Sequence, residues 1–128
     1  IVASDNRAAL KALSENPLTI KETRFDSIRG LVDLMDAAQA AAAGMHAPAL
    51  FLYGGHDQLV PADAMRATWR RLPASARRGF YPAGYHLLLR DLERAVQLGD
   101  LIAWLLDRAA PLPSEAEMAA AAWLDKST

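Results

Sequence analysis

Asp57 and His86 are the residues of this chain best placed to do chemistry. Asp57 follows the apolar run Ala49-Leu50-Phe51-Leu52-Tyr53 and the turn Gly54-Gly55-His56. His86 follows Gly79-Phe80-Tyr81 and then Pro82-Ala83-Gly84-Tyr85. Each run reads as a strand that breaks at glycine and then presents one titratable side chain. The segment between them has a helical pattern, which makes a strand–helix–strand unit. Functional groups of open parallel sheets gather beyond the carboxyl ends of the strands, so the acid and the histidine are expected to meet. A carboxylate that orients an imidazole makes it a general base, two thirds of a nucleophilic triad. The remaining third, a serine on a sharp Gly-x-Ser-x-Gly turn, is not among these 128 residues. Ser4, Ser14, Ser27, Ser75, Ser114 and Ser127 all lack that flanking pattern.

Each of the pair has a plainer reading. An Asp after two glycines is often only a turn residue, and a lone histidine is more often structural than reactive. Their joint placement at two strand ends, one helix apart, favours the pair. His56 adjoins Asp57, but successive side chains at a strand end point apart, so it reads as a turn residue. His46 has no acidic neighbour and reads as surface. Arg66, Arg70, Arg71, Arg77 and Arg78 could grip a phosphate; a solvated helix face is the simpler reading. Leu87, Leu88 and Leu89 read as core, with an acyl pocket as the alternative. Asp33 and Asp36 sit on the polar side of a helix. No Gly-rich phosphate loop and no metal-ligand spacing is present, so no cofactor or metal is expected.

Composition narrows the partners. A net charge of −1 argues against a general nucleic-acid or anionic-membrane binder. There is no cysteine, hence no disulfide or thiolate metal site, and that absence does not choose a compartment. No apolar run reaches the roughly 20 residues of a membrane span. The chain opens at Ile1 without an initiator Met and resembles neither a signal peptide nor a tag. It reads as a piece of something longer.

The elements that must position the pair follow from periodicity and punctuation. Ser4 or Asp5 could cap a helix to about Leu13. Asp26 could cap a longer one to about Ala43, with Phe25, Ile28, Leu31, Val32, Met35 and Ala38 on one apolar face and Gly44 as its stop. Pro48 opens the first strand, and a helix over 62–72 runs from Pro61 to Pro73. Residues 78–81 form the second strand. A further helix is expected over 91–108, with Asp91 near its positive end. After Pro111 and Pro113, Ser114 and Glu117 make a capping-box pattern for a last helix to about Leu124. Two strands make no stable parallel sheet; neighbours must come from elsewhere.

From Ala47 to Leu106 the chain resembles the C-terminal part of the α/β-hydrolase fold, most of all its monoacylglycerol lipase and lysophospholipase branch. The resemblance rests on Pro48-Ala49-Leu50-Phe51-Leu52-Tyr53-Gly54 with Asp57, Val60 and Pro61, on Tyr81 and Gly84-Tyr85-His86, and on Leu88-Leu89-Arg90-Asp91. Upstream, Ser4-Asp5-Asn6, Asn16-Pro17-Leu18, Arg24 and Gly30-Leu31-Val32-Asp33-Leu34-Met35 resemble the end of that branch's cap. The resemblance implies an α/β fold, here the C-terminal fragment of a hydrolase sheet: about two parallel strands with flanking helices, plus the end of a helical cap. It divides the chain into a cap end (1–44), the C-terminal part of the core (45–110), and a linker with an appended helix (111–128). It makes Asp57 the triad acid and His86 the triad base, acting on a serine upstream of Ile1. The substrate it implies is a lipophilic ester such as a monoacylglycerol or lysophospholipid. The partner would be the upstream half of the same protein or a further copy of this chain. The rival reading is a non-catalytic, self-associating module, with Met118, Ala121, Ala122 and Trp123 of the last helix in the contact.

Overall fold

The computed structural model describes residues 1–126; Ser127, among the serines considered above, lies outside them. The described residues form five α-helices and a two-stranded parallel sheet: α1 (Arg7–Glu15), α2 (Phe25–Ala41), β1 (Leu50–Gly54), α3 (Ala62–Arg71), β2 (Arg77–Tyr81), α4 (Arg94–Leu106) and α5 (Ala116–Asp125). Single 3₁₀ turns occupy Ala42–Gly44 and Leu88–Arg90. The strands are in register from Leu50 opposite Arg77 to Gly54 opposite Tyr81, so both carboxyl ends finish level on one side. No helix among the described residues is long and apolar enough to cross a membrane.

The core is aromatic. Trp69 of α3 (1% exposed) meets Tyr53 of β1 edge-on, with ring centres 6.2 Å apart. Trp123 of α5 stacks on Phe80 of β2 at 4.8 Å and lies 5.5 Å from Trp69. Small residues let α5 come close: a Cβ on Gly79 would sit 3.0 Å from Leu52 and 3.4 Å from Ala116. The last helix therefore directs Trp123 into the core, while Met118 stays exposed. Truncating Trp69 to Ala should cost about 3–5 kcal/mol. A urea titration would read this as a lower midpoint at unchanged slope.

The structure corrects several local expectations. Asn6, not Ser4 or Asp5, caps α1, its Oδ1 accepting from the Ala9 amide at 3.1 Å. Asp26 lies inside the first turn of α2 rather than capping it. Ser114 and Glu117 do not form a capping box. Glu115 precedes α5 with φ 60°, Ser114 donates to buried Asp100, and Glu117 pairs with Arg77. Asp91 does not begin α4, which starts at Arg94; it is buried in a loop. The five arginines are not a uniformly solvated face. Arg78 donates to the carbonyls of Trp69 (2.9 Å), Leu72 (2.9 Å) and Ala76 (2.7 Å), supplying partners to the end of α3. Arg77 clamps Glu117 and the carbonyls of Arg108 and Ala110, and Arg66 lies 4.2 Å over the Trp123 ring.

The Arg77–Glu117 clamp carries a pH signature. The hydrogen bond from Arg77 holds the Glu117 carboxyl below its ordinary value; partial burial opposes this and the Leu112 amide assists it. Because the folded value is the lower one, this stabilisation is complete above the ordinary value of 4.5 and is lost as pH falls through the folded value. The gap in unfolding midpoint between the unsubstituted chain and Glu117→Gln should therefore shrink on acidification across that window. A gap that does not change with pH would remove the clamp from the acid response.

Candidate functional site

The site is built where β1 and β2 end. Gly54 and Gly55 let the two outgoing loops touch: the Gly55 amide donates to the Tyr81 carbonyl (2.8 Å), and the His56 amide to the Gly84 carbonyl (2.9 Å). A Cβ on Gly54 would run into the Gly84 carbonyl and come within 2.6 Å of the Tyr85 oxygen. Only glycine permits that approach.

Asp57 then divides its carboxylate between two tasks. Oδ1 accepts the amides of Leu59 (2.8 Å) and Val60 (3.0 Å), a turn that ties the side chain to its own loop. The Tyr53 hydroxyl closes the same loop by donating to the Val60 carbonyl at 2.8 Å. Oδ2 faces Nδ1 of His86 at 2.9 Å. The Asp57 side chain is 6% exposed and that of His86 35%. Burial pushes the Asp57 carboxyl up, but the Val60 amide, the His86 ring and the Leu59 amide outweigh it and leave it below its ordinary value. An ionised carboxylate only accepts, so Nδ1 carries the proton and Nε2 is left with a free lone pair. That tautomer suits a general base.

Two clefts border the pair, one at His86 and one at Asp57. One, of about 330 Å³, is lined by Leu52, His86, Leu87, Leu88, Leu89 and Arg90. Leu88 also packs in the core with Tyr81, and Leu89 is exposed. The other is lined by Gly55, His56, Asp57, Gln58 and Tyr85. His56 turns from Asp57 and meets the Tyr85 ring edge-on at 5.1 Å. His46 is exposed.

The sequence did not reveal how the N-terminal segment laces these loops. The Val2 amide donates to Gln58 Oε1 (2.9 Å), and the Leu87 amide to the Ala3 carbonyl (2.9 Å). The Ser4 hydroxyl donates to Asp91 Oδ1 at 2.6 Å, while Asp91 Oδ2 accepts the Tyr85 amide at 2.8 Å. Ser4 and Asp91 are 87 positions apart, beyond the reach of any local pattern. The one available signal was an Asp five residues past His86, which read equally well as the start of a helix.

A parallel strand pair joined by a helix and carrying an acid and a histidine at adjacent carboxyl ends is an α/β-hydrolase arrangement. Residues 1–93 match the family model for the serine aminopeptidases, S33, a stretch that includes both Asp57 and His86. The chain belongs to that α/β-hydrolase family.

Proposed function

We propose that this chain carries the acid and base of a serine ester hydrolase and that the nucleophile comes from outside these 128 residues. The observation that carries the reading is the 2.9 Å contact between Asp57 Oδ2 and His86 Nδ1, which frees Nε2. In the assembled enzyme, Nε2 takes the serine proton as the hydroxyl attacks the ester carbonyl. It then returns that proton to the departing alcohol. Asp57 holds the ring and stabilises the imidazolium without itself taking the proton. Backbone amides of the remaining part would hold the oxyanion.

The substrate class is a lipophilic carboxylic ester, in the manner of a monoacylglycerol or lysophospholipid. Apolar Leu52, Leu87, Leu88 and Leu89 beside His86 support it. The family's description names aminopeptidases. An aminopeptidase must also bind a substrate ammonium group. Among the residues lining the two clefts the only carboxylate is Asp57, already engaged by His86. A short-chain p-nitrophenyl ester should therefore be hydrolysed faster by the complete enzyme than an aminoacyl p-nitroanilide, with monoacylglycerol as the confirming substrate. Faster turnover of the anilide would reverse the assignment.

The remaining part must also cover what this chain leaves open. The apolar face expected on α2 is present but unpacked: Phe25, Ile28, Leu31, Val32 and Met35 are exposed, as are Ile102, Leu105 and Leu106 of α4. A two-stranded sheet also leaves strand edges open to pairing. Light scattering on an eluting sample should give a mass above that of a monomer for the chain alone, or a defined complex with the serine-bearing part. A sharp monomer peak with cooperative unfolding would contradict this.

A further inference from the structure

We infer that Ser4 and Asp91 are positioning residues for His86, so that the N-terminal segment sets the geometry of the acid–base pair. The inference rests on the reading of Asp57 and His86 given above and adds what holds them. Asp91 is a carboxylate 2% exposed, and Ser4 is 1% exposed. A buried carboxylate is tolerated only where its oxygens are bonded, and both are: Oδ1 by the Ser4 hydroxyl at 2.6 Å, Oδ2 by the Tyr85 amide at 2.8 Å. Tyr85 immediately precedes His86. The residue immediately after it, Leu87, donates its amide to the Ala3 carbonyl at 2.9 Å. The backbone on both sides of the histidine is thus pinned, on one side by Asp91 and on the other by the neighbour of Ser4.

The same segment reaches the acid loop, since the Val2 amide donates to Gln58, next to Asp57. It also reaches α1, which Asn6 caps while donating to the Arg90 carbonyl at 2.9 Å. Residues 2–6 therefore link the Asp57 loop, the His86 loop and α1. A pair that must hold a ring within a few tenths of an ångström needs support of this kind. Removing the Ser4 hydroxyl leaves Asp91 Oδ1 buried and unpaired. The Asp91 side chain must then shift toward water or another donor, releasing the Tyr85 amide and with it the ring of His86.

The test is the imidazole ¹⁵N–¹H spectrum of the full chain, which reads the His86 tautomer directly. The unsubstituted chain should show the downfield Nδ1–H of a ring bonded to a carboxylate. Ser4→Ala and, independently, Asp91→Asn should lose that signal while the dispersed amide spectrum persists, and Ser4→Thr should restore it. A folded Ser4→Ala chain that keeps the signal would overturn the positioning role and leave the Asp57–His86 pair intact. If both variants lose all amide dispersion, the contact serves the fold at large and the positioning role is likewise overturned. An unsubstituted chain without the signal would remove the acid–base reading itself, and this inference with it.

Discussion

Replacing His86 by Ala in the complete enzyme is expected to lower turnover of a p-nitrophenyl ester by about 10⁶, the scale of the corresponding loss in subtilisin. The size follows from the division of labour. Without a base the serine hydroxyl stays protonated and the leaving alcohol finds no acid. What survives is binding and oxyanion stabilisation alone, roughly 10³–10⁴ over water. The ring itself is partly exposed, but its removal takes from the nearly buried Asp57 carboxylate the partner of Oδ2, so a modest fall in stability should accompany the substitution. Loss of turnover in a chain that still folds is the expected combination. Full turnover in the variant would remove His86 from the reaction. The hydrogen bonds that hold the Asp57 carboxyl below its ordinary value keep it ionised, and so able to orient the ring, to a lower pH than a free carboxylate.

Asp57→Asn is expected to lower turnover by about 10⁴, as the same exchange does in a serine protease. The geometry explains why an isosteric change should do so much. The Asn oxygen would still accept the Leu59 and Val60 amides, so the loop is retained. The group facing His86 Nδ1 then becomes an NH₂ donor. It selects the ring with its proton on Nε2, the atom that must be free to accept. Kinetics should show the loss in kcat with KM nearly unchanged, because both Asp57 oxygens are already engaged, one by the loop amides and one by His86. A variant that loses affinity but keeps kcat would make Asp57 a structural turn residue, the plainer reading of its position after two glycines.

How much of this was legible before the structure depends on the distance over which each signal acts. Asp57 and His86 could be paired from sequence because strand alternation, glycine breaks and the strand–helix–strand order are local patterns, and parallel register then brings the two ends level. The limits of α3 were set by Pro61 and Pro73 and came within a residue. Local caps were less reliable. Ser4, Ser114 and Asp91 all have the chemistry of helix starts, yet each spends its polar group on a tertiary partner: Asp91, Asp100, and Ser4 with Tyr85, respectively. Propensity at a cap is worth about 1 kcal/mol, and satisfying a buried carboxylate outweighs it. The arginines misled for the same reason. Sequence shows their charge but not the free carbonyls at the end of α3 that Arg78 serves. Periodicity shows the apolar stripe of α2 but says nothing of what covers it, and the described residues leave it open.

The most direct test of the central claim is labelling of the complete enzyme with a serine-directed phosphonate, followed by mapping of the modified residue. Such a reagent reacts only with a serine whose proton a neighbouring base removes. The expected result is one labelled serine outside residues 1–128, with labelling abolished in His86→Ala and strongly slowed in Asp57→Asn. Labelling at any serine within residues 1–128, or labelling that proceeds equally well without His86, would contradict the assignment of Asp57 and His86 as the acid and base of a serine hydrolase.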